Sequence, residues 1–225
     1  MDINLYRECE LKYKIENDEI KSEKTILILK NGYNFSGEVI ETDFIFDTKE
    51  YLCKKSHLLF RVRKENNLEN NNSFILFTLK IKGISDNFQD NYEIEINSRN
   101  PCIYNMKLLI YELQKRIGIK LLEKVFLEKS IKNILLYLQV SGFLEYSIMQ
   151  KKRSYFIGAN SLITFDVFPD PMGTYLEIEA TNENDLYKVV EMLKLDKMNM
   201  EKKNYGQLIL NRNKMIVFND KNIFL

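Results

Sequence analysis

Glu8-Cys9-Glu10-Leu11-Lys12-Tyr13-Lys14-Ile15 sets a charge at every second position and an apolar or neutral side chain between. A period of two is the signature of a strand, so Glu8, Glu10, Lys12 and Lys14 share one face and Cys9, Leu11, Tyr13 and Ile15 the other. The alternation returns along the chain. Arg61 and Arg63 alternate with Phe60 and Val62, Lys80 and Lys82 with Leu79 and Ile81, and Glu93 and Glu95 with Tyr92, Ile94 and Ile96. Lys151 and Arg153 lead into Tyr155 and Phe156, Asp166 lies between Phe165 and Val167, and Glu177 and Glu179 interleave with Leu176, Ile178 and Ala180.

An antiparallel sheet with one solvated face alternates in the same way. Such faces, however, mix Ser, Thr, Gln and both signs of charge, whereas these are pairs of one sign repeated strand after strand. Like charges two residues apart on one face repel, and nothing in sheet stability asks for them. A ligand with both metal and phosphate character does: acidic pairs hold a hard divalent cation, and Arg and Lys pairs hold phosphate oxygens.

The 225 residues are 45% hydrophobic, enough for a full core in one large domain or two small ones; no Pro- or Ser-rich linker divides them, and a single domain over 1–225 is expected. Thirty-three basic and 32 acidic residues leave a net charge of +1, which argues against binding a nucleic-acid polymer through bulk charge. Three cysteines without CxxC spacing favour a reduced, cytoplasmic setting over a disulfide framework or zinc site. The first residues carry no secretory signal, and no apolar run is long enough to span a membrane. Phosphate-loop, dinucleotide and nucleophile-elbow fingerprints are absent, and His57 has no second histidine with which to build a metal site.

Helical spacing appears in three places. Met106, Leu109, Ile110, Leu113 and Ile117 follow Pro101 and end at Gly118; Ile131, Ile134, Leu135 and Leu138 end near Gly142; Asn182 precedes Leu186, Val189, Val190 and Leu193. Residues 119–129 fit helix or strand, and the Asn-rich stretch Glu65–Asn72 reads as a solvated loop between strands.

Taken together, these strands resemble the CYTH, or triphosphate tunnel metalloenzyme, superfamily. Glu8-Cys9-Glu10-Leu11-Lys12 matches its ExExK motif, and Glu41-Thr42-Asp43-Phe44-Ile45-Phe46-Asp47 its QxDxYFD strand, with Glu41 and Ile45 replacing the usual Gln and Tyr. His57–Arg63, Thr78-Leu79-Lys80, Tyr92–Glu95, Lys151-Lys152-Arg153, Phe165-Asp166-Val167 with Gly173–Glu179, and Lys203-Asn204-Tyr205 follow in family order. An extra helical segment at about 100–130 and a longer tail after Tyr205 depart from the pattern.

The resemblance implies an α+β fold: an eight-stranded closed antiparallel β-tunnel (a barrel) with a polar interior and helices packed outside. It implies Mg²⁺ or Mn²⁺ held by Glu8, Glu10 and Glu179, with Asp166 and Glu177 binding a second ion or orienting the attacking water. Lys12, Arg61, Arg63, Lys80, Arg153 and Lys203 would line the triphosphate path, Lys12 also serving catalysis. Glu93, Glu95, Lys82 and Lys151 are further wall residues; Lys14, Lys82 and Lys151 fit either interior or rim. The expected activity is cleavage of inorganic, nucleoside or thiamine triphosphate by a monomer or homodimer. A class IV adenylyl cyclase and a non-catalytic polyphosphate- or nucleotide-binding module are the alternatives. Intact carboxylates speak against the last, since anion binding alone would not require them.

Overall fold

Strands with a charged face can hide it by curling until the sheet closes, which also leaves no unpaired edge. This chain does so in a computed structural model that describes residues 6–70, 72–83, 85, 87–196, 199–210 and 215–216. The strands are β1 (Tyr6–Ile15), β2 (Asn34–Thr48), β3 (Leu58–Asn67), β4 (Ser73–Lys82), β5 (Gln89–Asn97), β6 (Phe143–Ile157), β7 (Ser161–Val167) and β8 (Thr174–Ala180). They pair antiparallel in the order β2-β3-β4-β5-β1-β8-β7-β6, and β6 returns to β2. The closing pair is the longest, running from Asn34 opposite Ile157 to Thr48 opposite Phe143, with register shifts at Phe35/Glu38 and Ile45/Phe46 that bend the ribbon. A two-residue strand, β9 (Met215–Ile216), lies parallel to β6 at Ile148 and Met149.

The apolar faces point outward, where helices cover them. α3 (Ile103–Ile117), a tight turn at Glu123–Leu127 and α4 (Ile131–Val140) lie over a cluster that includes Phe60, Val62, Phe77, Leu79, Ile94 and Ile96. α1 (Asp18–Lys30) and α5 (Glu183–Met192) help cover Cys9, Leu11, Ile163, Phe165, Leu176 and Ile178. α2 (Leu52–Lys55) and α6 (Tyr205–Leu210) are short. The extra segment near 100–130 therefore roofs one flank of the barrel. No helix among the described residues is long and apolar enough to cross a membrane.

The three expected helices form where their apolar stripes predict. Gly118 ends α3 in the left-handed region at φ 74°, and the Asn182 side chain accepts the Asp185 N–H to start α5. α1 escaped the apolar periodicity because it has no apolar stripe: only Ile28 is buried. Its signal lay in its cap, where Asn17 accepts the Ile20 N–H at 2.9 Å ahead of Asp18 and Glu19. The ambiguous 119–129 stretch holds the tight helical turn. The loop expected at Glu65–Asn72 is shorter than that: β3 continues to Asn67, so Glu65 is a strand residue. Beyond Tyr205, most of the tail lies outside the described residues.

Phe60 is fully buried, with ring centroids 5.9 Å from Phe46 and 5.0 Å from Phe143. Truncating it to Ala is expected to cost roughly 3–5 kcal/mol in urea-unfolding experiments. A loss below about 1 kcal/mol would contradict an outward-facing core.

Candidate active site

Closure turns the charged faces into one cavity of about 830 Å³. Glu8, Glu10, Lys12, Arg61, Arg63, Lys80, Lys82, Glu93, Glu95, Lys151, Arg153, Glu177 and Glu179 all line it. Strand register decides who meets whom. Glu10 lies opposite Glu179 and Lys12 opposite Glu177 across β1 and β8, Lys80 opposite Glu93 across β4 and β5, and Asp43 opposite Arg63 across β2 and β3.

One network joins β1, β2, β3, β4 and β5. Lys80 Nζ lies 2.7 Å from Glu8 Oε2 and 3.1 Å from Glu93, and Arg61 lies 3.6 Å from Asp43 and 3.8 Å from Glu93. Arg61 also donates to Thr78 Oγ1 at 3.2 Å, while its buried Nε has no hydrogen-bond partner. A second network centres on β6. Arg153 donates to both oxygens of Asp166 at 2.5 and 2.6 Å and to Glu177, and Lys151 Nζ donates to Asp166 at 2.7 Å. Lys12 bridges Glu10 at 2.8 Å and Glu177 at 3.1 Å, and its ammonium sits 3.9 Å from the centre of the Tyr205 ring.

Four residues outside the expected site complete the interior. Fully buried Glu41 accepts from Arg63 Nη1 and the Tyr155 hydroxyl, each at 2.7 Å, and lies 3.3 Å from Lys151. Asp43 takes a two-pronged bond from Arg63 at 2.6 and 3.0 Å. Tyr205 donates to Asp166 at 2.8 Å, and Glu65 is buried in the cavity wall. Glu41-x-Asp43 and Arg61-x-Arg63-x-Glu65 carried the alternation that would have found three of them.

Two expected site residues sit elsewhere. Asp166 is fully buried but absent from the cavity lining, behind Lys151, Arg153 and Tyr205. Lys203 is exposed and outside the lining, its backbone N–H donating to Glu201. Lys82 is an exposed rim residue, Lys151 is interior, and Lys14 points to solvent.

Among the described interior side chains, carboxylates outnumber cations. Lys12, Arg61, Arg63, Lys80, Lys151 and Arg153 face Glu8, Glu10, Glu41, Asp43, Glu65, Glu93, Asp166, Glu177 and Glu179, while Lys82 and Glu95 are exposed at the rim. Burial works against ionising every acid, and neighbours then decide. Despite burial, Lys12 holds Glu10 well below the usual range, Arg153 and Arg63 hold Glu41 at about 2, and Lys80 and Arg61 hold Glu93 at about 2. Without enough cations to go round, burial pushes Glu8 well up, and Glu65 and Glu179 to about 7; Glu95 is also raised.

Glu8, Glu10 and Glu179 offer hard oxygen donors on adjoining strands, and their crowding is what a divalent cation would relieve. The chemistry of the donor set thus fits Mg²⁺ or Mn²⁺, while among the described residues no three such side chains converge on one point. In their present positions Glu8 and Glu10 are turned to Lys80 and Lys12.

A family model described as "CYTH domain" matches residues 6–204. No curated protein matches the sequence. Among solved structures, the PH1819 protein of Pyrococcus horikoshii superposes with a TM-score of 0.66 at 19% identity, over 92% of this chain and 99% of its own. A candidate adenylate cyclase of Vibrio parahaemolyticus gives 0.62 at 16% identity, over 90% and 97%. A candidate adenylyl cyclase of Hippeastrum, described as revealing a dominant triphosphatase activity, gives 0.55 at 14% identity, over 92% and 96%. At these identities the likeness is one of fold.

The raised carboxylates set a pH dependence. Glu65 and Glu179 bind protons more tightly folded, at about 7, than at their ordinary 4.5, so the native state holds the extra protons between those values. Stability must then fall as pH rises through that window. The acids held low by cations lose their contribution only below about pH 4.5, outside the window. The metal-free protein should therefore melt at a lower temperature at pH 8 than at pH 5.5, and Glu179→Gln should flatten the slope. A melting temperature that climbs across this range would contradict the assignment.

Proposed function

The chain belongs to the CYTH domain family, and from that premise we propose that it is a metal-dependent hydrolase of a triphosphate held along the charged cavity. The observation that carries this reading is the set of inward cations on four strands facing one space, with the buried Arg61 Nε donor unclaimed. A buried donor without an acceptor is costly, and a phosphate oxygen supplies the acceptor. The Hippeastrum relative's triphosphatase activity supports the same reading.

In this reading the phosphate chain displaces carboxylates from Lys12, Arg61, Lys80 and Arg153, exchanging internal ion pairs for ligand contacts. Glu8, Glu10 and Glu179 are the residues that would hold Mg²⁺ or Mn²⁺. Bound there, such an ion neutralises phosphate charge and templates the transferring group. Glu177, on the cavity wall beside Lys12 and Arg153, orients the attacking water. Asp166 is a positioning residue, fixing the directions of Arg153 and Lys151 from behind. Phosphoryl transfer asks chiefly for such alignment and charge neutralisation, and no covalent nucleophile is needed. The free cysteines, with Cys9 and Cys53 buried, suit a reducing compartment such as the cytoplasm.

Hydrolysis needs only a held triphosphate and an aligned water, whereas cyclisation also needs the ribose hydroxyl fixed in line with the α-phosphate. Incubation with Mg²⁺ or Mn²⁺ and inorganic triphosphate, ATP or thiamine triphosphate should release orthophosphate, and EDTA should abolish it. Cyclic AMP and pyrophosphate as main products from ATP would overturn the choice of reaction; turnover surviving exhaustive EDTA would overturn the metal.

Side-chain roles separate in the kinetics. Glu10→Gln and Glu179→Gln should lower kcat by about a hundredfold or more, the scale of losing a transition-state charge partner. Arg61→Ala should act mainly on KM, by about tenfold. All three within twofold of the native kcat/KM would contradict the assignment.

A further inference from the structure

The flank roofed by α3, the tight turn at Glu123–Leu127 and α4 has an outer face that the barrel does not use. The three elements form one surface: the turn packs on α3, and the Lys124 ammonium lies 4.9 Å from the centre of the Tyr137 ring on α4. Their inner side chains, among them Leu109, Leu113, Phe126, Ile134 and Leu138, are buried against the strands. Their outer ones are apolar as well. Ile103 and Tyr111 on α3, Leu122 and Leu127 at the turn, and Leu136 and Val140 on α4 all stand in solvent, Leu136 at 58% and Val140 at 80% exposure. Side chains so exposed project from the surface, and none of the six lines the cavity.

Charge singles out the same face. From Ile103 to Val140 there are seven basic and three acidic residues, in a chain that balances 33 against 32. Of those acids, Glu112 is buried and holds Arg116 at 2.6 Å, and Glu128 accepts the N–H groups of Lys129 and Ser130 at the start of α4. Lys107, Lys115, Lys120, Lys124, Lys129 and Lys132 are exposed, and among the described residues none of them meets a carboxylate. A projecting apolar face set among unneutralised lysines asks for a partner that is both apolar and anionic. A second copy of the chain is neither, because a two-fold interface would bring the same lysine-rich patch against itself.

We propose that this flank docks on the surface of an anionic lipid bilayer. Leu122, Leu127, Leu136 and Val140 enter the boundary between head groups and acyl chains, and Tyr111 sits at head-group depth. The lysine stems lie along the apolar layer while their ammonium groups reach the anionic head groups. Such docking is peripheral and requires no helix that crosses the membrane. It uses a face apart from the cavity lining, so it is independent of the reaction that the cavity performs.

The test is flotation with vesicles of phosphatidylcholine alone and of phosphatidylcholine with about one-third phosphatidylserine. The native protein should partition at least about tenfold more strongly onto the anionic vesicles, and added salt should weaken that preference. The double variants Leu136→Glu/Val140→Glu and Lys124→Glu/Lys132→Glu should each lower the partition by about tenfold. Their melting temperatures should stay near the native one, because all four side chains lie in solvent. Equal native partition onto the two vesicles, or none onto either, overturns the proposal. Undiminished binding by the Leu136→Glu/Val140→Glu variant also overturns it, since a charged patch suited to an acidic protein would then suffice. A lipid-free dimer in sedimentation that the same substitutions dissolve would assign the face to a second copy and overturn it equally.

Discussion

A charge removed from water must find a partner, and this constraint organises the whole barrel. Charged rows on closed strands cannot face solvent, so each Lys or Arg must meet carboxylates inside the barrel. Register satisfies the demand: Lys80 reaches Glu8 and Glu93, Arg63 takes Asp43 and Glu41, and Arg153 takes Asp166 and Glu177. The apolar faces, turned outward, then require helices to cover them, so the position of every larger helix follows from the inverted sheet.

Such pairs contribute little net stability, because desolvation offsets most of the attraction. Their value lies in preorganisation. The cations are held extended and aimed into the cavity, so a phosphate chain arriving there exchanges one set of oxygens for another at donors already in place. Glu41 illustrates the balance. In place of the family's usual Gln it adds a fully buried carboxylate among Arg63, Lys151 and Arg153, and so helps tip the interior toward negative charge.

Much of this was legible from the period-two pattern. Same-sign pairs such as Glu8/Glu10 and Arg61/Arg63 pointed to an interior with a use for them, and the three amphipathic helices announced themselves by their stripes. What the pattern could not supply was depth. Alternation assigns a face but not the distance from the cavity, so Asp166 looked like a wall residue although it lies behind one. Lys203 looked like a member of the site although its side chain is in solvent. Composition misled at Glu65, whose Asn-rich neighbours suggested a loop while the pairing with β4 carried the strand past it. Helix α1 has no apolar stripe and was visible only through Asn17.

An interior richer in carboxylates than in cations should accept a triphosphate only together with a divalent ion. Titrating inorganic triphosphate into the metal-free protein and into protein saturated with Mg²⁺ tests it directly. Affinity should be at least about a hundredfold higher with the ion, a coupling of about 2.7 kcal/mol. Equal affinity with and without Mg²⁺, or tighter binding without it, would show that the interior accepts the triphosphate without an ion.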